Sequence, residues 1–252
     1  MKTSLIRTAV ALLLGSTALL SQAATVNLST WAFGSGNGVS VGAPSHTGPA
    51  GGFKGSVTFE GAENGFSTPL TDFITYCVEL DQSFSLPSGD MRGYSVVAGA
   101  SYDLWNSSNA RNPSTGNTAA GTAERLGKLL TYVGSNSGIV DTAAESTSLQ
   151  LAIWNVIYDN DEVLDTGSFI AGGTTTQKSY NLYANSLLEN SDTVTNTLDV
   201  FVLTRDAPMS QDFLLTRPRL PGQDIPEPAS LALSLLGLAA AGAVSRRRRQ
   251  RA

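Results

Sequence analysis

Four groups of side chains in this 252-residue chain are of types that do chemistry. Cys77, in "TYCVELD" at 75–81, is the single cysteine. Outside the cell an odd cysteine is a free reactive thiol, half of an intermolecular disulfide, or chemically capped. Gln150, in "SLQLAIWNVIYD" at 148–159, stands one turn before Trp154 at the edge of an apolar stripe, an unusual place for a carboxamide that only packs. His46 is the one histidine and lies in the Gly/Pro-rich stretch "GSGNGVSVGAPSHTGPAGG" at 34–52. Neither a Ser-His-Asp triad nor a zinc site can be assembled around it, so it reads as a solvated loop residue. Asp159, Asp161, Glu162 and Asp165 in "YDNDEVLD" gather hard oxygen ligands. They lack the spacing, glycine and closing glutamate of a calcium loop, and read as a solvated helix end. Spacing picks out no glycosidase carboxylate pair, and no Gly-rich phosphate loop follows a strand. The reading is of a chain that is not an enzyme, with no cofactor and no metal.

Elements must position these residues. "FITYCVELDQSFSL" at 73–86 alternates as a strand. Alternation puts Ile74, Tyr76, Val78 and Leu80 on an apolar face, and Cys77 on the other with Thr75, Glu79 and Asp81. Gln150 belongs to a helix opened by a capping box, Thr142 with Glu145, and carrying Leu149, Ala152, Ile153, Val156 and Ile157 as its stripe. Leu126, Leu129, Leu130 and Val133 predict a second helix stopped by Gly134; Tyr180, Tyr183, Ala184, Leu187 and Leu188 predict a third. "TVNLSTWAF", "FKGSVTFEG", "YSVVAGASYDLW" and "TVTNTLDVFVLTRD" read as strands; 34–52 and 106–122 read as loops. Strands flanking a helical insert predict an α+β fold, sandwich- or barrel-like in its strands.

The ends are processing segments. Residues 1–23 have the charged start (Lys2, Arg7), short apolar core and small-residue site (Ser21-Gln22-Ala23) of a secretory signal peptide. Nine of the 16 basic residues and 20 of the 21 acids lie in 24–225, giving that stretch a net charge near −11. No basic stripe serves nucleic acid, which excludes that class of partner. "TRPRLPGQDI" at 216–225 reads as a linker after a domain over 24–215. Next come Pro226, Glu227 and Pro228, an apolar run over 229–244, and Arg246, Arg247, Arg248 and Arg249 with Arg251. An apolar run before an arginine cluster predicts a C-terminal transmembrane helix, anchored by the arginines on the cytoplasmic side of the inner membrane before processing. Those three parts in order, residues 226–252, resemble the PEP-CTERM sorting signal. The resemblance implies an exosortase, besides signal peptidase, as processing partner. It also implies a Gram-negative host that makes extracellular polysaccharide, and release to the cell surface or the extracellular matrix of a biofilm.

The pattern Leu149-Gln150-Leu151-Ala152-Ile153-Trp154, together with Tyr76-Cys77-Val78, resembles the thioester domains of bacterial surface adhesins, cysteine strand first and glutamine helix second. By that resemblance Cys77 and Gln150 form an internal thioester, shielded from water by Tyr76 and Trp154 with Thr75. The acyl group would be taken by an amine on a surface partner, in an extracellular polysaccharide setting. The chain would then be a single-turnover adhesion module. The alternatives from other classes are a secreted polysaccharide-acting hydrolase and a non-reactive structural matrix protein carrying the same tail.

Overall fold

Nine strands and three helices, described in a computed structural model over residues 23–205 and 210–219, carry the site. β1 (Ala24–Trp31), β4 (Phe53–Phe59), β5 (Leu70–Thr75), β6 (Asp90–Ala98), β8 (Leu198–Thr204) and β9 (Phe213–Pro218) form one antiparallel sheet in the order β5-β4-β1-β6-β8-β9. β2 (Asn37–Ala43), β3 (His46–Ala50) and the short β7 (Ile170–Ala171) form a second sheet in the order β3-β2-β7. α1 (Ala119–Ser135), α2 (Ala143–Tyr158) and α3 (Thr175–Ser191) lie between β6 and β8 in sequence. The α+β class with a helical insert stands.

The large sheet nearly closes on itself. Past Thr75 the chain leaves β4 and pairs with β9: the Leu214 N–H donates to the Tyr76 carbonyl at 3.0 Å, and the Val78 N–H to the Asp212 carbonyl at 3.2 Å. Cys77 faces Phe213 as an isolated antiparallel bridge at this seam. Closure removes the exposed edges that β5 and β9 would otherwise present.

α2 is the central helix. Its capping box forms as expected, with the Glu145 N–H donating to Thr142 Oγ1 and the Thr142 N–H to Glu145 Oε2. From Ser146 to Tyr158 every residue is buried, so the apolar stripe is only part of a helix covered on all sides. Its polar residues are used locally: Ser146 Oγ accepts from the Gly52 N–H at 2.8 Å, and Thr147 Oγ1 donates to the Ala50 carbonyl at 2.8 Å. These bonds fix the β3–β4 turn against α2.

Three expectations change. The stretch 34–52, read as a loop, is the β2–β3 hairpin, stabilised by β7 and by helix side chains. Strand β9 runs to Pro218, so the first residues of the expected linker are sheet. The expected transmembrane helix is withdrawn: among the described residues no helix is long and apolar enough to cross a membrane. At 1.5 Å per residue the 17-residue α1 and α3 reach about 26 Å, and both carry polar faces. With it go the membrane partnership through residues 229–244 and the inner-membrane anchoring before processing. Residues 229–244, the sorting motif at Pro226–Pro228, the arginines and residues 1–22 of the signal peptide lie outside the described residues.

Candidate functional site

The seam leaves the N–H and the carbonyl of Cys77 unpaired by sheet. On the β4 side the ladder ends at Phe53–Thr75, because the chain turns away through Gly51 and Gly52. On the β9 side the bridge uses the groups of Tyr76 and Val78. The N–H and carbonyl of Cys77 therefore point where a strand is missing, and Gln150 takes its place. The Cys77 N–H donates to Gln150 Oε1 at 2.9 Å, and Gln150 Nε2 donates to the Cys77 carbonyl at 2.8 Å. A carboxamide has the donor–acceptor pattern of a peptide group, so it completes the ladder from a helix side chain. Gln150 is 1 % and Cys77 9 % exposed.

The expected polar face does not exist. Thr75, Cys77 and Glu79 are buried, as are Tyr76, Val78 and Leu80, while Ile74, assigned to the core, is exposed and Asp81 remains outside. The segment runs between the seam and α2, so both of its faces are covered, and side-chain alternation carries no inside–outside information. Burial first, then the nearby Glu79 carboxylate, push the Cys77 thiol far above its ordinary range. The resting group is the neutral thiol.

Cys77 and Gln150 line a cavity of about 290 Å³ together with Trp154, His46 and Glu79. Trp31, Phe53 and Phe84 form its apolar wall, with ring centroids 4.5 Å (Trp31–Phe53) and 4.8 Å (Phe53–Phe84) apart. Of the two residues expected to shield a thioester, Trp154 lines this cavity. Tyr76 faces elsewhere: it lines a separate cavity with Phe33, Leu130 and Leu149, and its hydroxyl lies 3.4 Å from Ser146 Oγ. Thr75 lines that second cavity too and donates to the Leu214 carbonyl at 2.6 Å, tying the seam.

Two further residues join the site. His46, at the start of β3, is not a solvated loop residue. Its Nδ1 is 2.9 Å from the Leu80 carbonyl, and its ring meets Trp154 edge-on at 5.4 Å. A carbonyl only accepts, so Nδ1 carries a proton, and in the neutral ring Nε2 presents its lone pair. Nε2 is buried and has no partner among the described residues. Nothing local marked this; only the hairpin brings position 46 to the chain after β5. Glu79 is the second. One oxygen lies 2.6 Å from Arg111 Nη2, while Oε2 is buried with no partner among the described residues. Burial and the neighbouring Asp212 raise its carboxyl to about 8, with Arg111 opposing them. Its place beside a lone cysteine was the one available signal. In the acid cluster Asp159 accepts from the Phe169 N–H at 2.8 Å and from the Ser168 N–H, closing its loop. Among the described residues no group of acids, histidine and cysteine is arranged to hold a metal.

Comparison with known proteins adds two findings. Residues 224–249 match the family described as the PEP-CTERM protein-sorting motif. Among solved structures, the chain is similar to the N-terminal thioester domain of a surface protein from Clostridium perfringens, determined as a cysteine-to-alanine mutant. The identity is 14 % and the TM-score 0.41, over 65 % of this chain and 88 % of that one. No curated protein matches. A likeness of that size assigns no chemistry; the sorting motif is present in the tail, and what the ectodomain does is argued from its own site.

Proposed function

We propose that this chain is an exported adhesion module, sorted through its PEP-CTERM tail by an exosortase to the cell surface or extracellular matrix, and that Cys77 and Gln150 condense into an internal thioester. Cys77 Sγ attacks Gln150 Cδ; the C–S bond forms, the C–N bond breaks, and ammonia leaves with the proton of the thiol. An amine on a partner then attacks the acyl carbon, forming an amide at Gln150 and returning the Cys77 thiol. One observation carries the reading: the backbone of the single cysteine holds the Gln150 carboxamide at two points, 2.9 and 2.8 Å, in a buried site walled by aromatic rings. Holding the carboxamide against the backbone of the cysteine restricts the motion an uncatalysed condensation must freeze out, and excluding water protects the product.

A second reading, a non-reactive structural protein, has an observation of its own. Gln177 on α3 makes the same pair of hydrogen bonds with the Ser40 backbone of β2: the Ser40 N–H donates to Gln177 Oε1 and Gln177 Nε2 donates to the Ser40 carbonyl, each at 2.8 Å, where no thiol is present. The fold thus uses a glutamine as a strand substitute without any chemistry. Intact mass of the purified secreted chain separates the two: the thioester form lacks one ammonia, and the structural form has full mass and a thiol that alkylates on unfolding.

A further inference from the structure

The thioester reading leaves the protons unassigned. Both steps move one: from the Cys77 thiol to the departing nitrogen in condensation, and from the attacking amine to the departing sulfur in acyl transfer. The neutral, buried thiol gives no thiolate to start the first step. A proton acceptor must stand in the cavity.

We infer that His46 Nε2 is that acceptor, relaying the proton in both directions. The inference rests on the thioester reading, and on geometry that reading does not use. The Leu80 carbonyl fixes the tautomer and aims the ring, leaving Nε2 as a lone pair without a partner among the described residues. The imidazole lines the same cavity as Cys77, Gln150 and Trp154. Gly48 leaves the space beside it open: a Cβ there would lie 3.2 Å from Nε2. In condensation Nε2 takes the Sγ proton and gives it to the departing nitrogen, which leaves as ammonia. In acyl transfer it takes one proton from the attacking nitrogen and gives it to Sγ as the C–S bond breaks. No oxidant or outside acid is needed.

The other titratable groups lining the cavity are Cys77 and Glu79, both on the segment after β5. α2 contributes only Gln150 and Trp154, and neither titrates. Glu79 is the rival acceptor, but Arg111 holds one of its oxygens at 2.6 Å, with Asp81 on the same guanidinium at 2.7 Å. Burial and Asp212 also raise that carboxyl to about 8, so below that pH it is protonated and takes no further proton.

The test uses the purified secreted chain and methylamine. Thioester occupancy is read by intact mass and acyl transfer by the rate of methylamine incorporation per free amine at each pH, in wild type, His46→Asn and Glu79→Gln. Asparagine keeps an N–H for the Leu80 carbonyl and deletes Nε2, so a merely structural His46 would tolerate it. We expect wild type to show the ammonia deficit, and His46→Asn to react at least about 100-fold slower and to lose the rise of rate with pH. Glu79→Gln keeps that rise. A folded His46→Asn protein that never loses ammonia supports the same role in condensation. A wild-type rate and profile in His46→Asn overturns the inference and leaves the thioester standing; so does loss of the rise in Glu79→Gln instead. Wild type without the deficit overturns the thioester reading and this one with it. If His46→Asn does not fold, Gly48→Ala, which crowds Nε2 but keeps the imidazole, must slow the reaction; an unchanged rate there overturns the inference.

Discussion

Replacing Gln150 by glutamate, in a Cys77→Ala background so that no covalent bond intervenes, probes the clamp directly. The substitution is nearly isosteric and keeps the acceptor for the residue 77 N–H, at 2.9 Å in the parent. It exchanges the donor 2.8 Å from the residue 77 carbonyl for an oxygen. Two acceptors cannot share that distance without a proton between them, and position 150 is buried away from water. The new carboxyl must therefore stay protonated in the fold, with its pKa raised above the unfolded value of about 4.3. The unfolded state ionises first as pH rises. The cost is thus absent below about pH 4 and grows by up to ~1.4 kcal/mol per pH unit above it. At pH 7 the double variant should be about 3–4 kcal/mol less stable than its parent. Urea denaturation of the pair at pH 4, 5.5 and 7 gives the difference. A gap that does not grow with pH would refute the clamp.

Two other expectations follow from the same structure. Glu79, raised to about 8 by burial and Asp212, is protonated in the fold where the unfolded chain is ionised. Stability should fall as pH rises from about 4.3 to about 8, by no more than ~1.4 kcal/mol per unit, and then level off; melting temperatures of Glu79→Gln should have a shallower slope than wild type over that window, and an unchanged slope would contradict the assignment. Gly55 sits where β1 and β4 shift register, and a Cβ there would overlap the Asn27 carbonyl. Gly55→Ala should cost about 3 kcal/mol or more in denaturant unfolding, and a neutral result would place the two strands further apart.

What was legible in the sequence is what is local. The Thr142–Glu145 box and the stripe from Leu149 to Ile157 announce α2 because capping and 3.6-residue spacing need no partner elsewhere. Gln150 stood out because a carboxamide at the edge of that stripe, one turn before Trp154, is unusual as simple packing. The β2–β3 hairpin did not show, since Gly38, Ser40 and Gly42 alternate with only Val39 and Val41, and its support comes from Thr147 and Gln177 far along the chain. The place of Cys77 was misread for the same reason. Alternation identifies a buried face only when the other face meets solvent, and here α2 covers it. His46 was passed over because its role depends on the Leu80 carbonyl 34 residues away.

The measurement that bears most directly on the central claim is the intact mass of the purified secreted chain, unmodified and unreduced. The account predicts a mass lower by one ammonia in wild type, restored in Cys77→Ala and in Gln150→Ala once each substitution is allowed for, and a methylamine adduct at Gln150 with release of the Cys77 thiol. A full-mass wild type whose Cys77 alkylates on unfolding would contradict it, leaving Gln150, like Gln177, as a strand substitute and nothing more.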